Sequence, residues 1–373
     1  MSTYIHQRPG WPSFTWDAAV VAGALARVRH QQGLLVGRMG ALGFDLQAEA
    51  GLSVLTREVV KSSAIEGETL NPDEVRSSIA RRLGMDVAGL PEAGRTVEGI
   101  VELMLDATRN CAAPLTEERL FGWHAALFPT GRSGGDRLTV GAWRTAKADP
   151  MRVVSGAIGR EKVHFEAPEA VRVPEEMRRF LAWFNQPAAP VLTADPVLKA
   201  AVAHLWFVTI HPFEDGNGRL GRAIADMALA RADNSIERFF SLSAQIEVER
   251  RRYYHELELA QRGDGTITAW LVWFLECLGR AMDRADEILA VVLRKARVWQ
   301  RLTGHSINDR QRLVIQRLLD GFVGNLTSSK YAKLAKCSPD TALRDMQALV
   351  GLGVLVQNPG GGRSTNYGLA SDL

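Results

Sequence analysis

After Trp16-Asp17 the apolar positions fall at helical spacing, with Val20, Val21, Ala24, Leu25 and Val28 forming one stripe. A second helical stretch runs from about Leu46 to Glu66 and stops at Gly67, a residue type common just past a helix end. Asn71-Pro72-Asp73-Glu74 opens a third helix, since Asn caps, Pro fits the first turn and Glu74 stands three after the cap. Gly84 and the Pro91–Gly94 stretch then loosen the chain before a helix over roughly 95–110. From Thr116 the pattern is mostly helical, broken between Thr139 and Pro168 by β-branched alternation and glycine. There Met151–Gly156 and Lys162–Phe165 predict two short strands around a turn containing Gly156 and Gly159. Helices resume at Pro174 and at Asp195-Pro196; Val197–Ile210 reads as a buried helix and Leu220–Ala232 as another.

The chain from about Asn308 reads as a separate small unit. Residues 309–320, Thr327–Ala335 and Ser338–Leu349 predict three helices. Gly351–Gln357 and Thr365–Leu369 predict strands flanking Gly360-Gly-Gly-Arg363. This order resembles a winged helix-turn-helix domain. Its balance is eight Lys/Arg against five Asp/Glu from Asn308 onward, so the basic signal is modest.

Composition narrows the class. The 373 residues are 46% hydrophobic and 23% charged, which excludes a wholly disordered chain. A net charge of +3 is too small to imply nucleic-acid or membrane binding by the whole molecule. Cys111, Cys277 and Cys337 are far apart, which excludes a disulfide framework or a clustered zinc site. No apolar run approaches the roughly 18 residues of a membrane span. The opening MSTYIHQRPGWPSFTWD lacks the order of a signal peptide, so a cytoplasmic protein is expected.

The chemistry concentrates in His211-Pro-Phe-Glu-Asp-Gly-Asn-Gly-Arg-Leu-Gly-Arg222. Asp215-Gly-Asn-Gly-Arg219 predicts a tight turn opening a helix, whose unpaired N–H groups and dipole favour an anion. Two glycines let the backbone approach a phosphate closely. Arg219 and Arg222, three apart, share one face and can both reach a polyphosphate. A neutral His211 can take a proton from a hydroxyl, and Asp215 offers a hard oxygen suited to Mg²⁺. An Asn-Gly turn between helices would explain Asp-Gly-Asn-Gly alone, but not the twelve residues together.

These twelve residues match the motif of the Fic/Doc family, His-Pro-Phe-x-[Asp/Glu]-Gly-Asn-Gly-Arg-x-x-Arg, without a departure. The resemblance extends over roughly residues 95–300, and the N-terminal stretch resembles a helical domain that often precedes such cores. It implies a mainly α protein: an N-terminal helical inhibitory domain (1–90), a Fic core with a β-hairpin flap (91–305) and a small winged-helix domain (306–373). The implied activity is protein adenylylation, moving AMP from ATP onto a Ser, Thr or Tyr hydroxyl of a target protein or of the chain itself. Carried over by position, His211 would be the general base and Phe213 the anchor of the loop. Asp215 would hold Mg²⁺, Gly216, Asn217 and Gly218 would form the anion hole, and Arg219 and Arg222 would bind the triphosphate. Leu220 and Gly221 fall in the same nucleotide-binding stretch, Tyr254 matches a position near the base, and Glu214 occupies the variable position. Gln261 stands where an Asn contacting the nucleotide is expected. Val153, Val154 and Ser155 are the candidates for the flap strand that lines nucleotide and target, the target pairing with the flap edge.

Lys61-Ser-Ser-Ala-Ile-Glu-Gly67 also fits the family's inhibitory motif, [Ser/Thr]-x-x-x-Glu-[Gly/Asn], through Ser62, Glu66 and Gly67. The resemblance implies that Glu66 pairs with Arg222 and occupies the arginine meant for the γ-phosphate. The rival reading is a DNA-binding regulator whose Fic core senses a nucleotide or is inactive. Winged tails also serve as homodimer or partner docks, and family members can use other phosphate-containing donors. His30, His124, His204 and His255 read as isolated histidines; His164 in the hairpin reads as a surface histidine, the alternative being that it approaches the nucleotide.

Overall fold

The computed structural model describes residues 4–85, 90–146, 150–156, 160, 162–186, 195–233, 238–319, 322, 324–359 and 365–370. A 3-10 turn, Ile5–Gln7, precedes α1 (Ala18–Gly40), α2 (Phe44–Ile65) and α3 (Pro72–Arg82). Next come α4 (Arg95–Arg109), α5 (Glu117–Leu127) and two antiparallel hairpins, β1 (Arg132–Ser133) with β2 (Asp136–Arg137) and β3 (Arg152–Ser155) with β4 (Lys162–Glu166). The helical body continues with α6 (Val173–Asn185), α7 (Pro196–Ile210), α8 (Asn217–Asp233), α9 (Leu242–Val248), α10 (Arg250–Arg262), α11 (Thr268–Asp283) and α12 (Ala285–Leu302). Last are α13 (Asp309–Leu319), α14 (Ser328–Ala335), α15 (Pro339–Gly351) and the antiparallel pair β5 (Leu355–Gln357) and β6 (Tyr367–Leu369).

Side-chain caps set several helix starts. Asp17 accepts from the backbone of Ala19 and Val20, Asn71 from Asp73, and Asp195 from Val197. Each carboxylate or amide oxygen satisfies donors that the first turn leaves unpaired. The buried stripe of α1 runs through Val21, Ala24, Val28, Leu35 and Met39; Val20, expected on it, is exposed because it lies one step off that face. Helix α8 starts at Asn217, earlier than the hydrophobic pattern suggests, because Gly216 turns the chain at φ 80° directly before it. A side chain at Gly216 would meet the Phe128 ring 2.9 Å away, so the turn needs glycine for both backbone and space.

The strand expected over Gly351–Gln357 shortens to Leu355–Gln357, since α15 runs on to Gly351 and Gly353 (φ 68°) makes the turn. The Gly360–Arg363 tip and Gly159 lie outside the described residues. The β1–β2 hairpin was not expected; two-residue strands carry no alternation to read.

One apolar core joins α1 through α12, with α7 buried along almost its whole length at the centre. A second core forms around Val298 and Leu302 at the end of α12, with Val314, Ile315, Tyr331, Met346 and Leu355. Ion pairs tie these C-terminal elements back to the N-terminal helices, among them Lys295 to Glu49 of α2 at 2.6 Å and Arg317 to Asp73 of α3. Among the described residues no helix is long and apolar enough to cross a membrane.

Candidate active site

The residues His211–Asn217 link α7 to α8, two helices that pack closely along each other. His211 ends α7 in the left-handed region, at φ 52° and ψ 58°. That conformation is unfavourable for a residue with a side chain, and neighbouring groups hold it. Arg144 is buried and donates from Nε to the His211 carbonyl at 2.7 Å and from Nη2 to the Pro168 carbonyl. Its backbone N–H also bonds the Pro212 carbonyl at 2.9 Å. Phe213 is fully buried and stacks on His124, with ring centroids 4.2 Å apart and nearly parallel. The buried Asn217 amide closes the loop on itself, accepting from Phe213 N at 3.0 Å and donating to Phe213 O at 2.8 Å. Asn217 therefore shapes the loop with its side chain, leaving the first backbone N–H groups of α8 as orphan donors.

The His211 ring is half-buried, and its Nδ1 lies 3.4 Å from the Val208 carbonyl. That contact favours the proton on Nδ1 and leaves Nε2 as an acceptor, with no bond to it among the described residues. Burial, helped by the Arg144 cation, pushes the His211 pKa down to about 4, although Val208, Asp215 and Glu66 work the other way. The imidazole is neutral at pH 7. Asp215 accepts from the Ser133 hydroxyl, and Glu214 accepts from Thr139 N at 3.0 Å.

The two arginines stand on the first turns of α8. Arg222 is buried and donates from Nε to the Ser62 hydroxyl at 3.0 Å and from Nη2 to the Ser62 carbonyl at 2.8 Å. Nη2 also lies 2.8 Å from Glu66 Oε1. Burial works against the guanidinium charge, yet the Glu66 carboxylate beside it holds the Arg222 pKa above its ordinary range. Arg222 Nη1 is buried with no partner among the described residues, and it borders Gly218. A side chain at Gly218 would run into the Glu66 carboxylate, so this glycine is what admits it. Arg219 bonds Glu68 at 2.7 Å and lies over the Phe128 ring. Tyr254 places its hydroxyl 3.5 Å from the Ile65 carbonyl, next to Glu66.

Not every expected residue faces the loop. Leu220 is wholly buried, and Gly221 packs under His204 and Val208, so either would meet a nucleotide through backbone alone. Gln261 is buried and bonds Thr209 at 3.3 Å. On the flap, Val153 pairs with Phe165 and Val154 with Val163, with a bulge between the two pairs. Val154 and Ser155 are exposed. The outer edge of β4 is occupied: Arg262 bonds the Val163 and His164 carbonyls, and His6 the Glu166 carbonyl. The edge of β3 is the open one among the described residues.

Sequence reading did not find Arg144, His124, Ser133 or Glu68, which support the loop from four separate segments. His204 is a core histidine bonded to Tyr253 Oη at 2.9 Å, whereas His30 and His255 are exposed. Among the described residues no group of three or more His, Cys, Asp or Glu could hold a metal by itself.

Residues 114–229 match the Fic/DOC family. The chain carries a Fic/DOC domain. A second match covers residues 4–85 and is described as a domain of unknown function, DUF4172. Over 107 residues the chain is 36% identical to "Protein adenylyltransferase Fic" of Drosophila erecta, covering 29% of this chain and 20% of the fly protein. Over 228 residues it is 27% identical to "Protein adenylyltransferase fic-1" of Caenorhabditis elegans, covering 59% of this chain and 40% of the worm protein. The chain thus spans well under half the length of the curated relatives it matches. A crystal structure of a Fic family protein from Desulfovibrio desulfuricans superposes with a TM-score of 0.53 at 20% identity, over 96% of this chain and 98% of that one. The fold of this chain is the mainly helical Fic fold with small hairpins.

Proposed function

We propose that the Fic domain is a protein adenylyltransferase, moving AMP from ATP to a Ser, Thr or Tyr hydroxyl of a target protein. The observation that carries the reading is one juxtaposition. A neutral His211 with a free Nε2 stands at a glycine turn whose orphan N–H groups adjoin the unpartnered Nη1 of buried Arg222. A base beside a built anion site suits in-line attack of a hydroxyl on phosphorus. His211 takes the hydroxyl proton, the oxygen bonds the α-phosphorus, and the bond to the β-phosphate oxygen breaks to release pyrophosphate. Arg222 and Arg219 receive the phosphates once their carboxylate partners yield.

The donor set also fits Mg²⁺. One carboxylate, Asp215, with the Ser133 hydroxyl beside it suits an ion held mainly by waters and phosphate oxygens. Bound there, Mg²⁺ would neutralise charge on the phosphates. Glu66, seated on Arg222 with Ser62, is read as the brake that keeps the γ-phosphate site closed. A target segment would add to the open β3 edge, which sets the register of its hydroxyl. The test is to incubate the Glu66→Gly chain with ATP, Mg²⁺ and a cell extract and map modified peptides by mass spectrometry. Adenylyl groups on hydroxyl side chains are expected; phosphoryl groups instead, or no adduct, would overturn the reading.

A second reading concerns residues 306–373. Helix α14 ends in the left-handed Lys336 and turns directly into α15, and Lys330, Lys333 and Lys336 are exposed, as is Arg344 on α15. This supports a winged-helix unit that contacts phosphates of DNA. A salt-sensitive mobility shift of a DNA fragment, weakened by Lys333→Ala, is expected. A shift indifferent to salt would count against it.

A further inference from the structure

The flap holds a constellation that the adenylyl-transfer reading leaves unused. Ser155 Oγ lies 2.6 Å from His164 Nε2, and His164 Nδ1 lies 2.8 Å from Glu258 Oε2. The other Glu258 oxygen, Oε1, is 3.1 Å from Arg262 Nε. Arg262 also donates to the carbonyls of Val163 and His164, so one arginine fixes both the carboxylate and the strand that carries the imidazole. The order hydroxyl, imidazole, carboxylate is that of an activated nucleophile. The carboxylate fixes the Nδ1–H tautomer, and Nε2 is left to take the hydroxyl proton. Burial, the largest single effect at Glu258, raises its pKa, but the His164 hydrogen bond and the Lys162 and Arg262 cations together keep the carboxyl below its usual range and ionised. Ser155 is exposed, so an electrophile can reach it.

We propose that Ser155 is an acceptor of AMP within the chain itself, with His164 as its own base. The proposal rests on the adenylyl-transfer reading above. Glu258 lies one turn beyond Tyr254 on α10, about 6 Å along the helix. Tyr254 in turn reaches the end of α2 beside Glu66, so the relay borders the arginine site. In the step, Ser155 Oγ bonds the α-phosphorus of ATP and its proton passes to His164 Nε2. The bond to the β-phosphate oxygen breaks, pyrophosphate leaves, and the imidazolium is held by Glu258. The product is a Ser155 phosphodiester of AMP.

Peptide mapping of the Glu66→Gly chain after incubation with ATP and Mg²⁺ tests this. AMP is expected on Ser155, reduced about 100-fold by His164→Ala and by Glu258→Gln, and retained by Glu258→Asp. AMP on other hydroxyls with Ser155 bare overturns this proposal and leaves adenylyl transfer standing. No AMP on any protein, added extract included, overturns both. A fluorophosphonate probe needs no nucleotide. It should modify Ser155 in the wild-type chain and not in His164→Ala, and equal reaction in the two would refute the relay.

Discussion

His211 occupies a backbone region that costs a non-glycine residue about 1–2 kcal/mol, and the Arg144 bonds to the carbonyls of His211 and Pro168 offset that cost. The conformation turns the chain out of α7 into the loop that leads to α8. His211→Ala should lower AMP transfer by at least about 100-fold, measured as label incorporated per minute, with unfolding unchanged. Because burial holds His211 neutral down to about pH 4, the rate should show no acid limb from this group between pH 8 and 6. A rate that halves near pH 6.5 would mean that the base titrates as an ordinary histidine. Arg144→Ala should reduce kcat more than it changes KM for ATP, since it removes support for the base and not a phosphate contact. The twelve-residue loop was legible because its chemistry is contiguous in sequence. Arg144 and Ser133 were not, since one acts through backbone carbonyls and the other through a hydroxyl on a strand too short to show a pattern.

Helices α2 and α8 meet along matched positions four residues apart. Ser62 and Glu66 meet Arg222, through the Ser62 hydrogen bonds and the Glu66 ion pair beside Gly218, and one turn earlier on α2 the buried Glu58 lies near the buried Asp226. Glu66→Gly should raise transfer at least about 10-fold while leaving thermal stability nearly unchanged. Ser62→Ala should raise it less, because the Ser62 carbonyl still accepts from Arg222. Glu58 behaves differently: it is buried and accepts from Ser241 Oγ and Ser243 N. Glu58→Ala should therefore cost about 2 kcal/mol in a urea titration, from donors left unpaired. Ser62 and Glu66 stood out in sequence through their spacing from Gly67. Glu58 did not, because a lone carboxylate on a helix reads as a solvated face until the partner helix is known.

Across the whole molecule, His6, His124, His204 and His211 sit apart in sequence and are all held neutral by burial. All four folded pKa values are depressed, those of His124 and His211 to about 4 and that of His204 to about 3, so below the ordinary value near 6.5 the unfolded chain binds more protons. Stability should therefore fall as pH drops from about 6.5 toward 4, by up to about 1.4 kcal/mol per pH unit for each histidine. A melting temperature flat from pH 7 to 5 would contradict this. The elements carrying these residues were mostly readable from caps and periodicity, whereas their convergence on one core was not. The ties from α12 and α13 back to α2 and α3 likewise join residues more than 200 positions apart. The central claim is that the His211 loop transfers AMP and that α2 holds it in check. It is tested most directly by incubating wild type, Glu66→Gly and Glu66→Gly/His211→Ala with α-labelled or γ-labelled ATP. Label from the α-position only on the proteins of an added cell extract, raised by the single change and lost in the double, is the predicted result. Label on Ser155 is counted separately, because His164 is its base. Label from the γ-position, or α-label on proteins of the added extract that survives loss of His211, would contradict it.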